Sequence, residues 1–153
     1  MQRLELKLPP VALALVIGFF MWLLSGFLPS LGLTVPWRTM LGLTFYVAGT
    51  VIALAGLVEF LRRKTTINPV TPEAAAVIVT SGIYRFSRNP MYLGLLLVLI
   101  GWAVWLSHLM AFALLPLFVL YMNRFQIEPE ERALSAKFGR SFTEYTRSVR
   151  RWV

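Results

Sequence analysis

The chain contains no cysteine, which excludes disulfides, thiolate metal sites and thiol nucleophiles and leaves its compartment unreadable from redox chemistry. Histidine is nearly absent: His108 stands alone, which argues against a histidine-based metal centre or a Ser-His triad. Acidic residues are scarce, seven against fifteen basic, for a net charge of +8. Charged residues of both signs make up only 14% of the chain, against 58% hydrophobic and a mean hydropathy of +0.68. A soluble domain of 153 residues cannot hide that much apolar surface. An integral membrane protein is expected. Its positive charge needs no nucleic acid, since orientation in the bilayer and lipid headgroups account for it.

What is present is a series of apolar runs. Leu8 to Leu28 and Met40 to Leu61 each match the ~20 residues a helix needs to cross a hydrocarbon core of ~30 Å. The first is too long for a signal peptide, and no small-x-small cleavage site follows it. Pro29, Gly32 and Pro36 make the connection turn-rich, with Trp37 as an interfacial anchor. The segment from Leu61 to Ser81 is polar and reads as a long extramembrane loop. Met91 to Met122 is apolar again, broken only by Ser107 and His108. As one helix it would run ~48 Å, more than tilt absorbs comfortably. A hairpin turning at Ser107 and His108 puts Arg3, Lys7, Arg62, Arg63, Lys64, Arg85, Arg88, Arg124 and every later Lys or Arg on one side of the membrane, leaving only Arg38 across it. The positive-inside rule then predicts four spans with both termini cytoplasmic.

The tail places Leu134, Phe138, Phe142, Tyr145, Val149 and Trp152 on one helical stripe, with basic residues opposite, so it reads as an amphipathic helix on the headgroups, broken near Gly139. The expected fold is all-α: about four transmembrane helices, the last two a hairpin, plus this C-terminal helix. One domain covers 1–153, with two spans in 1–61 and a loop, hairpin and tail helix in 62–153.

Two constellations carry chemistry. In "GIYRFSRNPMY", Asn89 and Pro90 suit a helix start, Asn as cap and Pro at the first helical position. The free N–H groups of that helix end suit a ligand carboxylate, with Arg85 and Arg88 in support. After the fourth span, Glu128, Glu130 and Glu131 follow each other closely, with Pro129 in a first helical turn where acids also complement the dipole. The hairpin brings them to the same membrane face as Arg88 and Tyr92. Acids and cations beside aromatics suit a zwitterionic, cationic ligand.

The stretches "IVTSGIYRFSRNPMYLG" and "EERALSAKFGRSFTEYTRSVRRW" resemble the paired motifs of the isoprenylcysteine carboxyl methyltransferase family and the related membrane phospholipid methyltransferases, over Thr65 to Trp152. The resemblance implies an S-adenosylmethionine-dependent enzyme, its donor in a cytosol-facing pocket and a lipid-side opening for a lipophilic acceptor. Carried onto this sequence, Ala76, Val77, Ile78 and Val79 would line the adenosine. Tyr84, Arg88, Asn89, Pro90, Met91 and Tyr92 would border the same pocket, with Glu130 completing it and Glu131 beside it. No metal is implied. The chain departs from the family's eukaryotic members twice: Asn89 stands where they usually carry His, and Gln126 where they carry an Arg suited to a substrate carboxylate. Arg124 points about 200° away from that position on a regular helix. Gln126, Arg124 and Glu59, the acid at the cytoplasmic end of the second span, are the candidate acceptor contacts, Glu59 also reading as a snorkelling interfacial residue. Phospholipid amines and small thiols are alternative acceptors. A nicotinamide-dependent membrane reductase and a non-enzymatic scaffold are the readings of other classes.

Overall fold

A computed structural model describes residues 5–28, 36–63 and 77–153. Among these residues there is no strand. The helices are α1 (Pro10–Phe27), α2 (Arg38–Arg62), α3 (Pro90–Leu106), α4 (Leu109–Tyr121), α5 (Glu128–Phe138) and α6 (Arg140–Ser148), with a 3₁₀ turn at Gly82–Arg85 and a π-helical turn at Met122–Ile127. Three stretches are long and apolar enough to cross a membrane: α1, α2 and the continuous run Leu109–Phe138; α3, with 17 residues, is a shorter apolar helix. Large side chains such as Leu15, Phe19, Trp22, Leu43, Val51, Leu54 and Leu120 lie exposed around these helices. So much bare apolar surface belongs in lipid, and the chain is an integral membrane protein.

The tightest packing is between α2 and α3. Gly42, Gly49 and Gly56 recur every seven residues on α2, as Gly94 and Gly101 do on α3, and a seven-residue repeat keeps one face of a helix toward its neighbour. Gly42 meets Gly101 and Gly49 meets Gly94, while Gly56 lies on Pro90 and Met91. A Cβ on Gly49 or on Gly94 would stand 2.5 Å from the other's carbonyl oxygen. These positions let the backbones touch, the means by which helices associate where lipid removes the hydrophobic drive. On the other side of α3, Leu13, Ile17 and Met21 of α1 join Leu99, Ala103, Ala111, Phe118, Met122 and Ile127 in the core. The Trp102 indole donates to the Gly18 carbonyl at 3.0 Å, tying α3 to α1.

The expected hairpin turns where the sequence places it. Ser107 ends α3 in a left-handed conformation (φ 51°), and His108 caps α4 by accepting the Met110 N–H on Nδ1 at 3.2 Å. Two expectations need correction. The acidic cluster does not open a separate helix, because α4, the π turn and α5 form one continuous rod of 30 residues. Nor is the tail stripe one helix. Gly139 breaks it at φ +53°, as expected, but α6 stops at Ser148, and Val149 is already extended. Phe142 and Tyr145 are buried, whereas Val149 and Trp152 belong to a non-helical end segment.

Gly49→Val is expected to lower the ligand-free melting temperature in detergent sharply, since its Cβ would meet backbone that cannot yield. Gly26→Ala, at a helical position with nothing within 4 Å of the added carbon, should leave it unchanged or slightly raised. Equal effects would mean that the seam does not set the fold.

Candidate functional site

The site forms where the N-terminal end of α3 meets α5. Pro90 occupies the first helical position, buried against Gly56 of α2. Two residues on, the Tyr92 hydroxyl donates to Glu130 Oε2 at 3.0 Å. Gln126, almost fully buried, also reaches the Tyr92 hydroxyl. Gln126, in the π turn, and Glu130, four residues on, share Tyr92 as a neighbour, and π turns often mark functional sites.

The three clustered glutamates have separate partners. Glu128 pairs with Arg124 at 3.4 Å, and Glu131 with Arg88 at 3.2 Å and Arg151 at 2.6 Å. Glu130 faces a tyrosine and forms no ion pair among the described residues. Arg88 is itself mostly enclosed, and its Nε is buried without a partner.

The 3₁₀ turn forms a second wall. Tyr84 is buried, its ring 5.4 Å from that of Phe60 on α2, and its carbonyl accepts the Tyr145 hydroxyl at 2.7 Å. Burial pushes the Tyr145 hydroxyl up to about 12 despite the opposing pull of Arg88, so it remains a donor across the neutral range. Burial likewise raises Tyr84, with Glu130 adding to it. Val79 is buried, Ile78 half-buried and Val77 exposed, in a non-helical strip leading into the turn; Ala76 lies outside the described residues. Glu59 accepts the Ser81 hydroxyl at 2.8 Å, and a Cβ on Gly82, at φ +57°, would strike its carboxylate. Its side chain is only 15% exposed, so it is a bridge to the turn and not a freely snorkelling acid.

Tyr92, Gln126 and Glu130 meet at the Tyr92 hydroxyl, Tyr84 lies near enough to feel Glu130, and Pro90 and Met91 lie against Gly56. Arg124 is turned away, held by Glu5 at 3.2 Å and by Glu128. Asn89 is the clearest departure. Its side chain makes no cap to the helix. Instead Nδ2 donates to the Arg151 carbonyl at 2.9 Å, while its own N–H is taken by Ser87 Oγ at 3.1 Å. The end segment of the chain, including Arg151 and Trp152, was read as helix surface. It lies against the site, and no local pattern signals so distant a contact.

Comparison with known proteins bears on this geometry. The family model described as phospholipid methyltransferase matches residues 37–141, which takes in both walls. The chain belongs to the phospholipid methyltransferase family. It is 44% identical over 63 residues to an uncharacterized protein of Haemophilus influenzae, covering 41% of this chain and all of that one. It is 27% identical over 113 residues to protein-S-isoprenylcysteine O-methyltransferase B of Arabidopsis thaliana, covering 74% of this chain and 57% of the relative. A protein-S-isoprenylcysteine O-methyltransferase of Dictyostelium discoideum is 27% identical over 150 residues, 92% of this chain and 59% of that one. The chain thus spans little more than half the length of these isoprenylcysteine relatives. No solved structure matches it.

Because Asn89 donates to a carbonyl, Asn89→Asp should not preserve stability as a simple cap exchange would. The new carboxylate faces the Arg151 carbonyl without a proton to offer, and loss of the bond with repulsion in its place should cost about 1–3 kcal/mol. A ligand-free melting curve of this family member checks it. An unchanged midpoint would assign Asn89 an ordinary capping role.

Proposed function

We propose that the chain is an S-adenosylmethionine-dependent methyltransferase acting at the membrane surface on a lipophilic or membrane-associated acceptor, in the manner of the isoprenylcysteine carboxyl methyltransferases. The observation that carries this reading is Glu130, half-buried against Tyr92 and lacking the arginine partners of its neighbours. A carboxylate without a cation, beside two buried tyrosines, suits a ligand that brings a positive charge. The residues present fit such a donor. In this reading Val77, Ile78 and Val79 wall the adenosine, and Tyr84 and Tyr92 flank the charged sulfur. Glu130 takes the α-amino group or the ribose hydroxyls, and Met91 and Pro90 close the floor. Arg88, Asn89 and Glu131 stand behind this layer. Bound there, the donor supplies a methyl group made electrophilic by its sulfonium.

Methyl transfer is an in-line displacement that needs little covalent help, so the chain's task is to align the acceptor and keep water out. The apolar wall and the buried tyrosines serve the second requirement. For the acceptor, Gln126 is neutral and Arg124 is occupied by Glu5 and Glu128, so a carboxylate would find no free cation at these two positions. That favours a phospholipid amine or a thiol as the second reading within the same chemistry. Glu59, beside the 3₁₀ turn, would then be the acid placed to take a proton. The chain operates as a single domain with four spans and both termini in the cytoplasm, a reading supported by the basic residues flanking the site and the turn at Ser107 and His108.

Glu130→Ala is expected to weaken S-adenosylhomocysteine binding by about tenfold to a hundredfold, while Glu128→Ala changes it little. Equal losses in calorimetry would mean a general effect of the cluster's negative charge, and binding of NADPH instead would favour a reductase. Incubating membranes with a labelled methyl donor should give a labelled lipophilic product. For topology, the absence of native cysteine makes single substitutions clean. Thr80→Cys and Ser148→Cys should be modified from one side of the membrane and Thr39→Cys from the other; any other grouping overturns the four-span arrangement.

A further inference from the structure

The backbone leaves α6 at Val149 (φ −127°, ψ 134°) and passes the N-terminal end of α3 in non-helical form. The Arg88 N–H donates to the Arg150 carbonyl at 3.0 Å, and Asn89 Nδ2 to the Arg151 carbonyl at 2.9 Å. The Arg151 guanidinium grips Glu131 with two nitrogens, Nε at 3.2 Å and Nη2 at 2.6 Å. Trp152 Nε1 donates to Asn123 Oδ1 at 3.0 Å, reaching the π turn. These few residues thereby link the start of α3, the π turn and the first turn of α5, the three segments that bring Tyr92, Gln126 and Glu130 together.

We propose that the segment Val149–Trp152 is a positioning strap for the donor site, with Arg151 as its positioning residue. This rests on the donor reading above. Arg88 Nη2 lies 3.2 Å from Glu131, while its Nε is buried without a hydrogen-bond partner among the described residues. Arg151 supplies the two-pronged contact that fixes the plane of a carboxylate, something a point charge cannot do. Fixing Glu131 fixes the rotation of α5 about its axis, and with it the direction of Glu130, the adjacent residue. The Arg151 carbonyl simultaneously holds Asn89, immediately before Pro90. Arg151 therefore touches neither Tyr92 nor Glu130 but sets the distance between them, and Asn89 and Glu131 serve the strap instead of contacting the donor.

The test is calorimetry of the full chain in detergent with S-adenosylhomocysteine, alongside ligand-free melting. Arg151→Gln should weaken binding by about tenfold or more while the ligand-free melting temperature stays close to wild type. Arg151→Lys, which keeps the charge and loses the fork, should remain weakened; full binding by this variant would overturn the positioning claim, and it decides the matter if Arg151→Gln does not fold. If Arg151 acts through Glu131, the double variant Arg151→Gln/Glu131→Gln should bind no more weakly than the worse single variant. Additive losses would overturn the proposal by showing two independent contacts. Arg147→Gln, exposed on α6, should bind as wild type does, and a loss there equal to that of Arg151→Gln would mean a general charge effect. Wild-type protein that binds no S-adenosylhomocysteine would overturn the donor reading and the strap's role with it. That outcome is distinct from wild-type binding that Arg151→Gln retains in full, which overturns the strap alone.

Discussion

Direct backbone contact between α2 and α3 is the constraint from which the site's geometry follows. With Gly49 against Gly94 and Gly42 against Gly101, the two backbones pack in direct contact. In that packing Gly56 lies on Pro90 and Met91, and the last turn of α2 extends past the start of α3. Glu59 thereby reaches Ser81, and Phe60 packs on Tyr84. The contact between α2 and α3 thus positions the turn that carries Tyr84. A side chain larger than hydrogen at Gly49 or Gly94 would move that turn as a body, even though neither residue approaches a ligand.

The opposite wall depends on the long rod from Leu109 to Phe138 and on what holds its irregular middle. A π turn needs other partners for backbone groups that a regular helix would satisfy. The Phe125 carbonyl accepts the Leu6 N–H at 2.9 Å, and Glu5 joins Arg124 and Arg132 by ion pairs. Leu6 adopts φ +57° there, a conformation that costs a non-glycine residue about 1–3 kcal/mol and persists only where its surroundings enforce it. The early segment at Glu5 and Leu6 and the final one at Arg150 to Trp152 therefore both converge on the segments that carry Gln126 and Glu130.

The sequence made the helices legible because hydrophobic run length and turn residues are local signals. The first two spans, the turn at Ser107 and His108, the proline start at Pro90 and the break at Gly139 all follow from such signals. The meeting of Tyr92 with Glu130 was legible too, since the two sit in motifs that the hairpin must bring to one face. What escaped depends on distant partners. Asn89 looks like a cap until Arg151, 62 residues later, takes its amide. Val149 and Trp152 fit a helical stripe, but the strap's bonds to α3 and to Asn123 outweigh continuation of a short helix. The π turn left no mark in the hydrophobic period, because it replaces only one turn inside a rod that is apolar on most sides.

The glutamate cluster shows how direction, and not charge alone, separates residues that look equivalent in sequence. At about 100° per residue on an α-helix, positions 128, 130 and 131 point roughly 0°, 200° and 300° around the axis. Glu128 shares a face with Arg124 one turn earlier, and Glu131 turns toward Arg88 and the returning strap. Glu130 is left pointing at α3, where Tyr92 offers one hydrogen bond and no positive charge. An enclosed carboxylate is costly unless it is paired or protonated, and among the described residues Glu130 has a hydroxyl and no cation beside it. Helix-dipole complementarity does not account for Glu130, because α5 continues the rod from Leu109 and its first turn is not a free helix end. Glu130 is thus the member of the cluster whose partner is a tyrosine hydroxyl and not an arginine.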